Sequence, residues 1–142
     1  MGFSARLRPA SMLRHDRRME RAIDLDEAVR EVERRRSRWA GAGLTVGPVT
    51  WRDGAQKWPQ RLEPDRAVVV HPDSLGVVLT GPAGASLSVV LFRGGWADVD
   101  YLADTDDAGT LPGSGIDSAA AFGDRLDGYV VRVFGACASV PD

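Results

Sequence analysis

A chain of 142 residues with a single cysteine, Cys137, is long enough for one folded domain and excludes an intramolecular disulfide and a zinc site built on several cysteines. No run of the sequence approaches the roughly 18 apolar residues that a membrane span requires, so we expect a cytoplasmic protein without a membrane partner. The net charge of −2 conceals an acidic body, because residues 39–142 carry 7 basic groups against 13 acids, and this balance argues against direct nucleic-acid binding.

The N-terminal part of the chain is basic: residues 1–38 carry 11 arginines against 7 acids. Residues 1–18 show little apolar periodicity. A tail, or residues added by a start codon upstream of Met19, is favoured over an arginine-rich targeting segment. We therefore predict a basic, disordered tail at residues 1–18 and a single domain at residues 19–142.

A helix is predicted from about Leu25 to Ala40. Asp24 precedes it with the spacing of a capping box, in which the carboxylate accepts a hydrogen bond from a backbone amide three residues on. The glycines that follow the helix favour its end there. Glu31 and Arg35 have the spacing of a helix-stabilising pair, and the Arg34–Arg36 run is interpreted as a solvated face. The apolar stripe contains Leu25, Val29, Val32 and Trp39.

The middle of the chain is typical of short strands separated by turns. The predicted strands cover residues 44–51, 66–71, 75–80, 86–93 and 96–102, and the first is interrupted at Pro48, which places it at an edge. A loop at residues 52–65 carries Trp58. Pro72-Asp73-Ser74 is interpreted as a turn, and residues 104–117 as a polar loop. Connections this short force neighbouring strands to be antiparallel.

A last helix is predicted at residues 118–134, capped by Asp117 or Ser118 and ended by Gly135, with an apolar stripe that needs a sheet to pack against. The predicted fold class is therefore α+β: an antiparallel, four- to five-stranded meander sheet with an N-terminal and a C-terminal helix packed on one face.

The strand that begins at Trp96 has two different faces. A period of two places Ala97, Val99 and Tyr101 on one side, and the other side is polar apart from its tryptophan and a leucine. Tryptophan is common among the residues that dominate binding energy at interfaces, and the loop that follows extends the negative charge. The alternative is a structural tryptophan that shields the sheet or packs under a loop. The candidate partner-binding residues are Trp96, Asp98, Asp100, Asp104, Asp106 and Asp107.

The sequence favours neither a metal nor a cofactor. Residues 104–115 resemble a calcium loop, but Ala108 and Gly115 stand where oxygen ligands are needed. The glycines at residues 112–115 lack the lysine of a phosphate-binding loop. His15 and His71 are the only histidines, and no nucleophile lies in a recognised motif, so we assign no catalytic residues.

From about Ile23 to Gly135 the chain resembles the small immunity proteins of bacterial toxin systems, and is most similar to the TriTu-type group. The resemblance lies in the helix ending in Trp39, the segment Asp65–Val70, the strand pair Val89–Val99 and the helix Ala119–Phe134. It implies a non-enzymatic function, in which the protein binds a cognate toxin domain and blocks its active site or its partner surface.

The acidic body supports such a function independently of the resemblance. Toxins that act on nucleic acids or nucleotides are usually basic, and an acidic inhibitor associates faster with a basic partner. A secretion or assembly chaperone is the alternative, and a small enzyme acting on a nucleotide is a third. The oligomeric state and the identity of the toxin stay open.

Overall fold

The computed structural model describes residues 23–135. The predictions made for residues 1–18, and those made for His15 and Cys137, lie outside this range.

The described chain forms one antiparallel sheet with two helices packed on a single face, which confirms the predicted α+β class. Short 3-10 turns lie at Arg66–Val68 and Pro82–Gly84. Within residues 23–135, neither helix combines the length and the apolar character that crossing a membrane requires. In chain order the elements are α1 (Leu25–Gly41), β1 (Thr45–Val46), β2 (Thr50–Asp53), β3 (Pro72–Thr80), β4 (Ser86–Phe92), β5 (Trp96–Asp104), β6 (Asp107–Thr110) and α2 (Ala119–Phe134).

The six strands occupy five positions across the sheet. β3, β4, β5 and β6 follow one another as a meander, and both β1 and β2 pair with β3. Since β4 occupies the other side of β3, β1 and β2 are two halves of one edge strand. Pro48 lies between the halves, so the predicted interruption and the predicted edge position are confirmed.

The core lies between the sheet and the helices. Alternate residues of the three central strands point into it, and each helix contributes one apolar stripe. On α1, Ala28 is fully buried, whereas Val29, which the sequence placed in the apolar stripe, is only partly buried. The fully buried side chains include Val32, Trp39, Leu75, Leu79, Leu87, Val89, Leu91, Phe122, Leu126 and Val130.

The ends of both helices follow from their flanking residues, as predicted. The Asp24 carboxylate accepts from the amides of Asp26 at 2.9 Å and Glu27 at 3.3 Å, and the Ser118 hydroxyl accepts from Ala121 at 3.0 Å. Gly135 ends α2 with a φ of 99°, a left-handed conformation that favours glycine.

The predicted strand at residues 66–71 is wrong. Asp65 accepts from the amide of Ala67 and begins a 3-10 turn there, and Val69 alone of the valine run is buried. The predicted turn at residues 72–74 is also wrong, because β3 already begins at Pro72. That first position of a strand tolerates proline.

The predicted polar loop at residues 104–117 contains a strand that the sequence did not predict. β6 pairs with β5, and the chain stays beside β5 after β6 ends. Leu111 donates to the carbonyl of Val99 at 3.0 Å, and Ala97 donates to the carbonyl of Gly113 at 2.7 Å. Ile116 then enters the core.

The interpretation of the Arg34–Arg36 run as a solvated face is wrong for two of its three members. Arg34 is largely exposed, but the Arg35 side chain is only 11% exposed and lies against α2. Arg36 donates to the backbone carbonyls of Val46 and Gly47. These arginines therefore hold elements of the fold together.

Candidate protein-binding surface

The face of the sheet opposite the helices, called here the open face, carries the outward residues of β5. Ala97 and Val99 point into the core, as their spacing predicted. Trp96 keeps 43% of its surface exposed, and Asp98 and Asp100 are exposed beside it. The open face thus combines apolar and acidic side chains that no other element covers among residues 23–135.

Trp96 stacks on a neighbouring aromatic ring. Phe92 lies directly opposite it across the β4–β5 hairpin, with the ring centroids 4.0 Å apart and the planes inclined by 17°. The stacking fixes the orientation of the indole and covers one of its faces, while the rest of the ring stays accessible. Trp96 is therefore an ordered surface aromatic outside the core, the kind of rigid side chain that loses little entropy on binding.

Asp98 and Asp100 lie next to the middle of the sheet. Asp98 is opposite Val90 on β4, and Asp100 is opposite Ser88. Neither carboxylate takes part in the ion pairs formed among residues 23–135. These two carboxylates, which have no ion-pair partner within residues 23–135, produce a local negative potential on one strand face that attracts a cationic partner.

Asp104 and Asp106 continue this potential at the end of β5, where the chain turns into β6. The Asp104 carboxylate accepts from the backbone amide of Asp106 at 2.7 Å, and both residues are exposed. With Asp98 and Asp100 they form what we call the acidic strip.

Asp107 has a different setting from the other candidate residues. Its carboxylate accepts from both terminal nitrogens of Arg132 on α2, at 2.8 and 2.9 Å, and from the Tyr101 hydroxyl at 2.6 Å. The hydrogen bonds from Arg132 and then from Tyr101 lower the pKa of Asp107 to about 2. Asp107 thus joins the β5–β6 hairpin to α2, and its charge is compensated within the protein.

The open face also holds a groove of about 270 Å³ that sequence reasoning missed. It runs between β2 and β4, over the outward side of β3, with Leu62 at its rim. The sequence contains one signal for this groove. A glycine inside a predicted strand, here Gly76, often marks a site where a ligand or another backbone approaches the strand closely. The lining includes Thr50, Arg52, Gly76, Val78, Ser88 and Val90.

The described residues carry 12 basic groups against 17 acids, a net charge of −5, so the acidic balance predicted for the body holds for the part of the chain in the structure. Among these residues, no group of three or more His, Cys, Asp or Glu side chains lies close enough together to hold a metal ion. The aspartates of the calcium-like loop form the turn between β5 and β6 and the pairing with α2.

No family model, no curated protein and no solved structure matches the chain. Its function is therefore inferred from the geometry and the charge of the open face.

Proposed function

We propose that this protein is a non-enzymatic binding module that takes up a basic protein domain on its open face, and that it acts as an immunity protein against a cognate toxin. The observation that supports this most strongly is the contrast between the two faces of the sheet. Both helices cover one face. The other presents an ordered tryptophan beside carboxylates that have no cationic partner among the described residues.

The two parts of the surface have different physical roles. An aromatic side chain that is already oriented contributes binding energy when a partner excludes water from it. The acidic strip attracts a basic domain over a distance of about 10 Å at 0.1 M salt, and so raises the association rate. Together they suit an inhibitor that has to capture its target quickly and hold it.

The first test concerns the partner. If the adjacent gene encodes a multidomain secreted protein with a variable C-terminal domain, that domain is produced together with the present protein. We expect size-exclusion chromatography with light scattering to show a 1:1 complex. We also expect the present protein to restore the growth of cells in which the domain alone arrests growth. Absence of a complex, with growth still arrested, would contradict the proposal. A dimer holding an unfolded segment of the partner would favour the chaperone alternative.

The second test locates the interface with Trp96. Trp96→Ala is expected to weaken the complex about 30-fold, which corresponds to about 2 kcal/mol, because the anchor is removed. Val131→Ala is the matched control, since Val131 has a similar exposed fraction but lies on α2, on the helix side. Equal effects of the two variants in isothermal titration calorimetry would place the interface away from the open face.

The third test concerns the acidic strip. Asp98→Asn combined with Asp100→Asn should slow association and reduce its dependence on salt, with a smaller change in dissociation. The control combines Asp117→Asn with Asp124→Asn, which removes two exposed acids near the start of α2 and in its first turns. If stopped-flow rates respond equally to both pairs, only the net charge matters and the strip is not the contact surface.

A further inference from the structure

The groove on the open face has a definite floor and two chemically different walls. Outward residues of β3 form the floor, β2 with Leu62 forms one wall, and Ser88 with Val90 of β4 forms the other. Its volume of about 270 Å³ lies close to the lower end of the range of about 300–1,000 Å³ typical of ligand sites, and its apolar lining lies on an open sheet face where a larger partner can dock. The groove is therefore suited to one side chain of a larger partner.

Gly76 keeps the groove open. A Cβ atom at this position would lie 3.3 Å from the Thr50 hydroxyl oxygen on one wall and 3.5 Å from a methyl group of Val90 on the other. Any side chain on Gly76 would thus occupy the space between the walls. The apolar side chains of Leu62, Val78 and Val90 around it favour an aliphatic or aromatic occupant.

The surroundings of the groove are electrically asymmetric. On the β4 side, Val90 and Ser88 lie opposite Asp98 and Asp100, so the carboxylates are one strand away, at about 5 Å between Cα atoms. On the β2 side stands Arg52, which donates to the carbonyl of Gln60 at 3.4 Å. A positively charged group on a bound segment is therefore attracted toward β5 and repelled from β2. This difference favours a segment oriented with its positive charge toward β5.

We propose that the groove receives one aliphatic or aromatic side chain of the protein partner, and that Asp98 and Asp100 bind an arginine or lysine next to it. The recognition element is a short segment in which an apolar residue adjoins a basic residue. This inference rests on the proposed function and adds to it the chemistry that the open face selects.

The test uses three small peptides on the full-length, isotope-labelled protein, followed by amide chemical shifts in NMR. N-acetyl-Leu-Arg-amide carries both elements, N-acetyl-Gly-Arg-amide lacks the apolar anchor, and N-acetyl-Leu-Glu-amide reverses the charge. We expect the first to shift the amides of Gly47, Gly76, Ser88 and Asp98 with saturation. The other two should bind about tenfold more weakly. Equal binding of all three, or shifts that avoid the groove, would overturn the proposal.

A pair of variants separates the groove from the rest of the open face. Ser88→Leu places a larger side chain in the groove, whereas Ser86→Leu makes the same change two residues earlier on the same face of β4, outside the groove lining. Both serines are partly exposed, so neither change enters the core. Ser88→Leu should weaken binding of the Leu-Arg peptide about tenfold, and Ser86→Leu should leave it unchanged. Equal effects would count against the groove.

The same spectra test the other possible occupants. Residues 1–22 contain an apolar residue between two arginines, Arg6-Leu7-Arg8. If Arg6→Glu with Arg8→Glu shifts the groove amides without any peptide, the occupant is the chain's own N-terminal segment. If these shifts depend on protein concentration, the occupant is a second copy. Either result overturns the proposal of a separate partner.

Failure of this inference is distinguishable from failure of the proposed function. A toxin complex that responds to Trp96→Ala but not to Ser88→Leu would retain the proposed function and remove the groove from it. Binding of the Leu-Arg peptide without any toxin complex would retain the chemistry of the groove and remove the proposed function.

Discussion

Arg35 on α1 donates from Nε and Nη2 to the two carboxylate oxygens of Asp127 on α2, at 2.8 and 3.1 Å, and so ties the two helices together. Its third nitrogen donates to the carboxylate and the backbone carbonyl of Glu31, at 2.8 and 2.9 Å. Gly123 provides the space for this arrangement, because a Cβ atom there would lie 2.5 Å from a Glu31 carboxylate oxygen and 2.8 Å from Arg35 Nη2. Two-point hydrogen bonding of this kind requires arginine.

The first prediction compares two glycines of α2. Gly128→Ala has free space around the new methyl group and should raise the free energy of unfolding by about 1 kcal/mol, the usual gain in helix propensity. Gly123→Ala should lower it, because the methyl group displaces Arg35 from its bidentate bond with Asp127. Urea denaturation followed by circular dichroism measures both. Equal stabilisation by the two variants would mean that the arginine network adapts without loss.

The second prediction concerns acid stability. Because Arg132 and the Tyr101 hydroxyl hold the pKa of Asp107 at about 2, its contribution to stability is complete above about pH 4 and is lost as the pH falls toward 2. Asp107→Asn should therefore lower the midpoint of thermal unfolding at neutral pH. The difference in midpoint between this variant and the unsubstituted protein should shrink as the pH falls from about 4 toward 2.

Asp106→Asn is the matched control for Asp107, since Asp106 is exposed and makes no ion pair among residues 23–135. We expect this variant to follow the pH dependence of the unmodified protein. The unfolding midpoints of all three proteins are measured at several pH values between 2 and 7. If Asp107→Asn lowers the midpoint by the same amount at every pH, the charge of Asp107 does not contribute to stability as predicted.

The third prediction separates the surface tryptophan from a core tryptophan. Trp96→Ala loses stacking on Phe92 and should lower the free energy of unfolding by about 1 kcal/mol, leaving a folded protein. Trp39→Ala removes a fully buried side chain and should cost about 3–5 kcal/mol. Circular dichroism in urea measures both changes. A cost at Trp96 as large as that at Trp39 would make it a structural residue.

The fourth prediction concerns Asp53, which is 3% exposed. Its carboxylate accepts from the amides of Ala55, Val70 and His71 at 2.8–2.9 Å, and these bonds, led by that from Val70, lower its pKa. Asp53→Asn leaves one acceptor oxygen in place of two, so at least one of these amides loses its partner. It should lower the unfolding midpoint more than Asp65→Asn, an exposed cap with one amide partner. Similar midpoints would mean that water replaces the lost bond.

Asp53 also explains why the strand predicted at residues 66–71 is absent. A run of valines has high strand propensity, so local sequence favours a strand there. The amides of Val70 and His71 donate to the Asp53 carboxylate, 17 and 18 residues earlier, and not to a neighbouring strand. A side chain distant in sequence supplies these bonds. The helices, by contrast, were predictable because their caps and apolar stripes are local.

β6 and the setting of Asp107 were missed for related reasons. The residues Asp107–Thr110 have low strand propensity, and they are held in the sheet by backbone pairing with β5. The partner of Asp107, Arg132, lies 25 residues away on α2. The alternation of β5 did identify Trp96, Asp98 and Asp100 as outward residues, because a period of two is a local property of one strand.

Arg36 has a consequence for how this molecule behaves beside copies of itself. Its Nη1 donates to the carbonyl oxygens of Val46 at 3.1 Å and Gly47 at 3.0 Å, and the next residue, Pro48, has no N–H to offer. An edge strand with free donors and acceptors is a template on which further strands can add, one molecule after another. Here a side chain from α1 occupies two carbonyl oxygens at the first half of the edge, and Pro48 offers no donor beyond them. α1 thus removes two of the acceptors on which a strand of another molecule would add at this edge.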